Sequence, residues 1–131
     1  MQKFLNQFNL RPNIALALEQ FIFSISDNKV EGYVGGVFTD KEVDGVTIFM
    51  LPEASSYNIS ASFSAVHTDH LTSSAAITML AINWFWNKYT DRLTDAENEA
   101  FHDYYYKLRD MVWSDKATHA IDRSDFFNIT D

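Results

Sequence analysis

A single α+β domain is what this sequence predicts: a small antiparallel sheet of about three strands, packed against and surrounded by about four helices. Three observations lead there. Apolar residues recur at helical spacing in the first and last parts of the chain, the middle alternates or runs apolar in short stretches bounded by Gly and Pro, and nothing between them has the composition of a linker. At 131 residues, 47% hydrophobic and 15% aromatic, the chain is sized for one core, so residues 1–131 are read as one domain.

Asn13 is positioned to cap a first helix whose apolar residues Ile14, Leu18, Phe21, Ile22 and Ile25 share one face, with Ser26-Asp27-Asn28 as the stop. From Tyr33 the pattern changes. Gly35-Gly36 leads into Val37-Phe38, and Val46 to Leu51 runs apolar up to Pro52, which reads as two strands. Asp44-Gly45 between them is a favoured turn pair and predicts a hairpin. Tyr57, Ile59, Ala61 and Phe63 alternate with polar residues as a third strand. Ser64 to His70 is polar and reads as a loop, after which Thr72 caps a long helix to about Tyr89. Its stripe of Ala75, Met79, Ile82, Trp86 and Tyr89 is widened by Ile77, Leu80, Ala81, Trp84 and Phe85, so this helix is expected at the centre. Trp86 is expected deeper than Trp84. Thr94 and Glu97 form a capping box opening a further helix with stripe Ala100, Tyr104, Leu108 and Met111, and Ser114 or Asp115 starts a short last one.

Composition narrows the function classes. The chain has no Cys, which removes disulfides, thiolate metal sites and a Cys nucleophile and suits a reducing cytoplasm. The first ten residues lack the apolar run of an export signal, and stretches such as Ile48 to Leu51 fall far short of the roughly 20 residues of a membrane helix, so no membrane association is expected. A formal charge of −8 opposes direct binding to DNA or RNA, whose affinity comes from Lys and Arg. The expected partner is a protein.

Motifs for catalysis are missing: there is no Gly-x-Ser-x-Gly, Walker, Rossmann or His-Glu-x-x-His pattern. No catalytic residue, metal or cofactor is therefore assigned. His67, Asp69 and His70 are the one set with ligand chemistry, a basis for a metal-dependent hydrolase as an alternative, although neighbouring positions cannot all converge on one ion unaided. Asp40, Glu42 and Asp44 stand two apart, which in a strand sets three carboxylates along one side as a candidate partner-binding row that imitates phosphates; the plainer reading is the wet edge of a hairpin. In Tyr104-Tyr105-Tyr106, Tyr104 belongs to the core stripe, leaving Tyr105 and Tyr106 as candidate interface residues.

The centre of the chain resembles the ArdB/KlcA antirestriction family of bacterial mobile elements. The resemblance rests on Tyr33-Val34-Gly35-Gly36-Val37-Phe38, where the family usually ends in Trp, and on Phe49-Met50-Leu51-Pro52-Glu53 at the family's spacing. It continues through Leu71 to Ala76 and through Tyr105-Tyr106-Lys107-Leu108-Arg109. It implies a compact α+β fold and inhibition of type I restriction-modification without an enzymatic step, the partner being the restriction complex. The motif residues Tyr33, Gly35, Gly36, Phe38, Phe49, Met50 and Pro52 are mainly structural in kind. An anti-defence protein directed at another bacterial system is the alternative.

Overall fold

The computed structural model describes residues 1–131. Its elements in chain order are α1 (Gln2–Asn6), α2 (Pro12–Lys29), β1 (Thr39–Val43), β2 (Val46–Met50), β3 (Ser56–Ser60), β4 (Ala65–Asp69), α3 (His70–Tyr89), α4 (Asp95–Trp113) and α5 (Arg123–Thr130), with a 3-10 turn over Thr90–Arg92. The α+β class stands, but the strands form two separate two-stranded antiparallel sheets, β1 with β2 and β3 with β4, in place of one sheet of about three strands.

Helix α3 is the axis of the molecule. It touches α2, α4, α5 and both hairpins, and every residue from Thr72 to Ile82 is buried. A helix apolar on most faces has to be enclosed in this way. Its polar residues have work inside: Ser74 Oγ accepts the Leu51 N–H at 3.0 Å, and Thr78 Oγ1 donates to the carbonyls of Phe49 and Ser74 at 3.2 and 2.8 Å. From α4, the Tyr104 hydroxyl donates to the Thr47 carbonyl at 2.6 Å. The outer edge of β2 is thus met by hydroxyls of two helices. The carbonyls of Thr47 and Phe49 and the N–H of Leu51 are thereby taken by helices, and the two helices cover the edge on which a third strand would have to pair.

The β1–β2 turn follows the sequence closely. Val43 pairs with Val46, and Asp44 and Gly45 both take positive φ, 46° and 83°, the two-residue loop that Asp-Gly favours. In the second hairpin, β3 ends at Ser60 and the chain returns as β4, so the polar stretch read as a loop is a strand. Thr68 is its one buried residue, facing the core while Ala65, His67 and Asp69 face out. Phe63 therefore sits at the hairpin tip and is fully exposed, whereas Ile59 is fully buried. Beyond β3, Val30 bridges Ile59 and ties the end of α2 to this hairpin.

Helix ends account for the remaining differences. Pro12 occupies the first turn of α2, with Arg11 as the capping position in place of Asn13, and the helix runs past Ser26 to Lys29. Asp69, three residues before Thr72, caps α3 by accepting the Thr72 N–H at 2.7 Å. Thr94 and Glu97 form the capping box of α4 as expected. The last helix starts at Arg123, capped by Asp122, and not at Ser114 or Asp115. Helix α1 has no counterpart in the sequence reading; Phe4 packs edge-on to Phe49 and Tyr104, and Phe8, just past the helix, packs edge-on to Tyr104, which gives it its hold. Trp86 is half-buried and Trp84 is 40% exposed, the expected order, while the deepest aromatic of α3 is Phe85.

Candidate functional site

The motif residues, ten or more positions apart in two stretches, come together. Gly35 and Gly36 take φ of 86° and 132°, and a Cβ on Gly36 would lie 2.8 Å from Pro52 Cβ. The chain therefore crosses Pro52 only because residue 36 has no side chain. Phe38 is buried between Tyr33, Phe23 and Phe49, with ring centroids 6.3, 5.4 and 5.9 Å away. Phe49 is fully enclosed and Met50 nearly so. Pro52 and Leu51 are pinned by their carbonyls, which accept from the Tyr57 hydroxyl and pair with His70 Nε2 at 2.8 Å respectively. Burial pushes the Tyr33 and Tyr57 hydroxyls above the ordinary tyrosine range, Tyr33 further by Asp27 and Tyr57 further by Tyr33.

Around this packed unit, Val34 and Val37 project into solvent, 96% and 77% exposed. A cleft of about 570 Å³ opens beside Val37, lined also by Lys41, Met50, Glu53 and His70. It holds one cation, two carboxylates, of which Asp40 is already engaged by backbone N–H groups, and an imidazole already bonded to a carbonyl, a surface suited to contact and not a set of convergent reactive groups. Gly36→Ala should lower stability by about 2–4 kcal/mol, from the backbone conformation plus the clash with the Pro52 ring. Chemical denaturation checks this; an unchanged midpoint would mean the Gly36–Pro52 contact is not tight.

The acidic row divides into separate roles. Asp40 is half-buried and accepts the N–H groups of Lys3 and Phe4 at 3.1 and 2.9 Å, capping α1 from a neighbouring strand, with the terminal ammonium 3.3 Å away. Burial raises its pKa, but these hydrogen bonds and the ammonium outweigh it and hold it below the usual carboxylate range. Asp44 accepts from the hydroxyl and N–H of Thr118, fastening the β1–β2 turn to the segment before α5, and this pair of bonds lowers its pKa. Glu42 alone is exposed without such a partner. The expectation that all three lie free on a wet edge is corrected on this point. Asp40→Asn should cost about 1–2 kcal/mol through the lost cap, while Glu42→Gln should leave the thermal midpoint where it is. Equal midpoints for the two variants would show that Asp40 does not cap α1.

His67, Asp69 and His70 are not brought together. His67 Nδ1 pairs with Asn58 Oδ1 at 2.7 Å, Asp69 is occupied by the α3 cap, and His70 turns inward to Leu51. No group of three or more His, Asp or Glu side chains is arranged to hold a metal ion.

No protein-family model matches the chain, and no curated protein is significantly similar to it.

Tyr105 and Tyr106 lie on the outer side of α4, Tyr105 half-buried and Tyr106 46% exposed, while Tyr104 is in the core. They belong to a closed set of four rings. Trp86 contacts His102 and Tyr105, and Tyr106 contacts both of those, at centroid distances of 5.0 to 6.3 Å. Asn98, absent from the sequence reading, anchors one of these rings, Trp86. Its Oδ1 accepts from the Trp86 indole N–H at 3.1 Å and from the Thr90 hydroxyl at 2.9 Å. The available signal was an Asn four residues after the Thr94 cap, too common a pattern to single out.

Proposed function

We propose that this domain is a non-enzymatic inhibitor that protects incoming mobile DNA by binding a protein of a bacterial defence system, a type I restriction-modification complex first. One observation carries the reading. The residues on which the ArdB/KlcA resemblance rests, Tyr33, Gly35, Gly36, Phe38, Phe49, Met50 and Pro52, form one rigid unit joining α2 to both hairpins. Such a unit needs these residue types at these positions. The exposed valines beside it supply contact surface without reactive chemistry.

A net charge of −8 fits a partner with a basic surface, which proteins that handle DNA present, and disfavours DNA itself. The test is phage plating efficiency on hosts carrying type I systems, other restriction systems or unrelated defences, with and without this gene. Protection confined to type I hosts is the expected result. Protection confined to another defence keeps the mode of action and changes the target; protection of none overturns the proposal.

A further inference from the structure

We infer that the outer face of α4, centred on the plate formed by Trp86, His102, Tyr105 and Tyr106, docks an arginine-bearing helix or strand of a partner protein. Asp95, Glu99, Asp103, Tyr106 and Asp110 follow one another at three- and four-residue steps, with His102 three after Glu99 and four before Tyr106, which sets them along one side of the helix, and all six are exposed. The face is therefore an acidic stripe crossed by aromatic rings. Its carboxylates are nearly free of internal partners: the sole ion-pair contact among them is Asp103 with His102 at 3.2 Å. Lys107 and Arg109 lie at its margins.

The chemistry selects the occupant. Tyr and Trp faces are electron-rich and attract a cation placed over them. A guanidinium does this better than an ammonium, because it is planar, stacks on a ring, and offers a fork of donors matching a carboxylate. Phosphate-bearing partners are repelled by four carboxylates on the same face. The plate is also held in advance: each of its rings touches two others, and the Trp86 indole is tied to Asn98. Rings already fixed lose little freedom on binding, and Trp and Tyr anchors of this kind carry most of the energy at protein interfaces.

This inference rests on the protein-binding reading above but is measured without any defence system. The probe is an alanine-based helical peptide with arginines along one face, titrated against the full chain by tryptophan fluorescence, with the same peptide carrying lysines as comparison. The arginine peptide should bind more tightly than the lysine peptide. Tyr106→Ala should weaken it roughly tenfold, equivalent to about 1.4 kcal/mol. The charge-removing set Glu99→Gln, Asp103→Asn and Asp110→Asn should weaken it as much or more, whereas Glu42→Gln, Glu53→Gln and Asp91→Asn, which remove the same charge elsewhere, should not. Equal losses from the two sets, equal binding of the two peptides, or no binding would each overturn the assignment. If the chain protects type I hosts while the peptide fails to bind, the face is refuted and the proposed function stands. If the peptide binds and no host is protected, the reverse holds.

Discussion

Glu97→Ala is expected to cost about 2–4 kcal/mol, because it removes the buried acceptor that completes the α4 capping box and that takes the Arg11 N–H groups. The Glu97 side chain is 4% exposed and accepts from the Arg11 side chain at 2.8 and 3.1 Å, from the Arg11 N–H at 3.0 Å and from its own cap residue Thr94 at 2.9 Å. One carboxylate therefore closes the capping box of α4 and locks the start of α2 to it. Burial acts to raise its pKa, but the bonds from Arg11 and Thr94 outweigh burial and hold it at about 2, against an ordinary 4.5. A carboxyl more acidic when folded contributes stability that is fully present above the unfolded value and is lost as pH falls from about 4.5 towards about 2. Denaturation midpoints measured between neutral pH and pH 2 should show that fall in the wild type and a shallower one in Glu97→Ala. Parallel curves would mean that Glu97 is not the group responsible.

Phe49→Ala should be as costly or more, about 3–5 kcal/mol, with a drop in thermal midpoint on the order of 10–20 °C. Phe49 is fully buried, its ring stands edge-on to Phe4 at 5.1 Å, and it also contacts Phe38, so its loss empties the junction of α1, β2 and the glycine segment. Phe63→Ala provides the matched comparison, since that ring is fully exposed at the β3–β4 tip. Calorimetry of the two variants should give a large shift and almost none. Similar shifts would contradict the placement of either residue.

Local signals were legible wherever the physics is local. The Thr94–Glu97 box and the Asp44-Gly45 turn depend on residues within a few positions of one another, and both form as read. Burial of α3 was legible too, because its apolar residues leave no polar face. What escaped depends on distant partners. Helix α1 is five residues long, too short to stand alone, and forms where Asp40 caps it and Phe49 receives Phe4. Strand β4 has one buried residue, Thr68, so its alternation leaves almost no hydrophobic trace. The third-strand reading of Phe63 failed because a turn at Ala61 to Ser64 interrupts the pattern without Gly or Pro to announce it. At the candidate site, the fit of Gly36 against Pro52 joins positions sixteen apart, and no spacing rule reveals it.

The separation of the sheet into two hairpins sets how the molecule opens. A two-stranded hairpin is marginal in isolation, so each pair persists only while its surroundings hold it. The β1–β2 pair is clasped along its outer edge by Ser74, Thr78 and Tyr104, and its amide protons should exchange with solvent only when α3 itself detaches. The β3–β4 pair is held outside itself by the bridge at Val30, by the Glu31 N–H donating to the Asn58 carbonyl, by the Tyr57 hydroxyl on the Pro52 carbonyl and by burial of Ile59 and Thr68. These ties hold one end of the hairpin, and the exposed tip from Ser62 to Ser64 lies beyond them. Deuterium uptake should therefore be slow along β1 and β2 and fastest at the β3–β4 tip, the part of the two hairpins with least to hold it in one shape around a visitor.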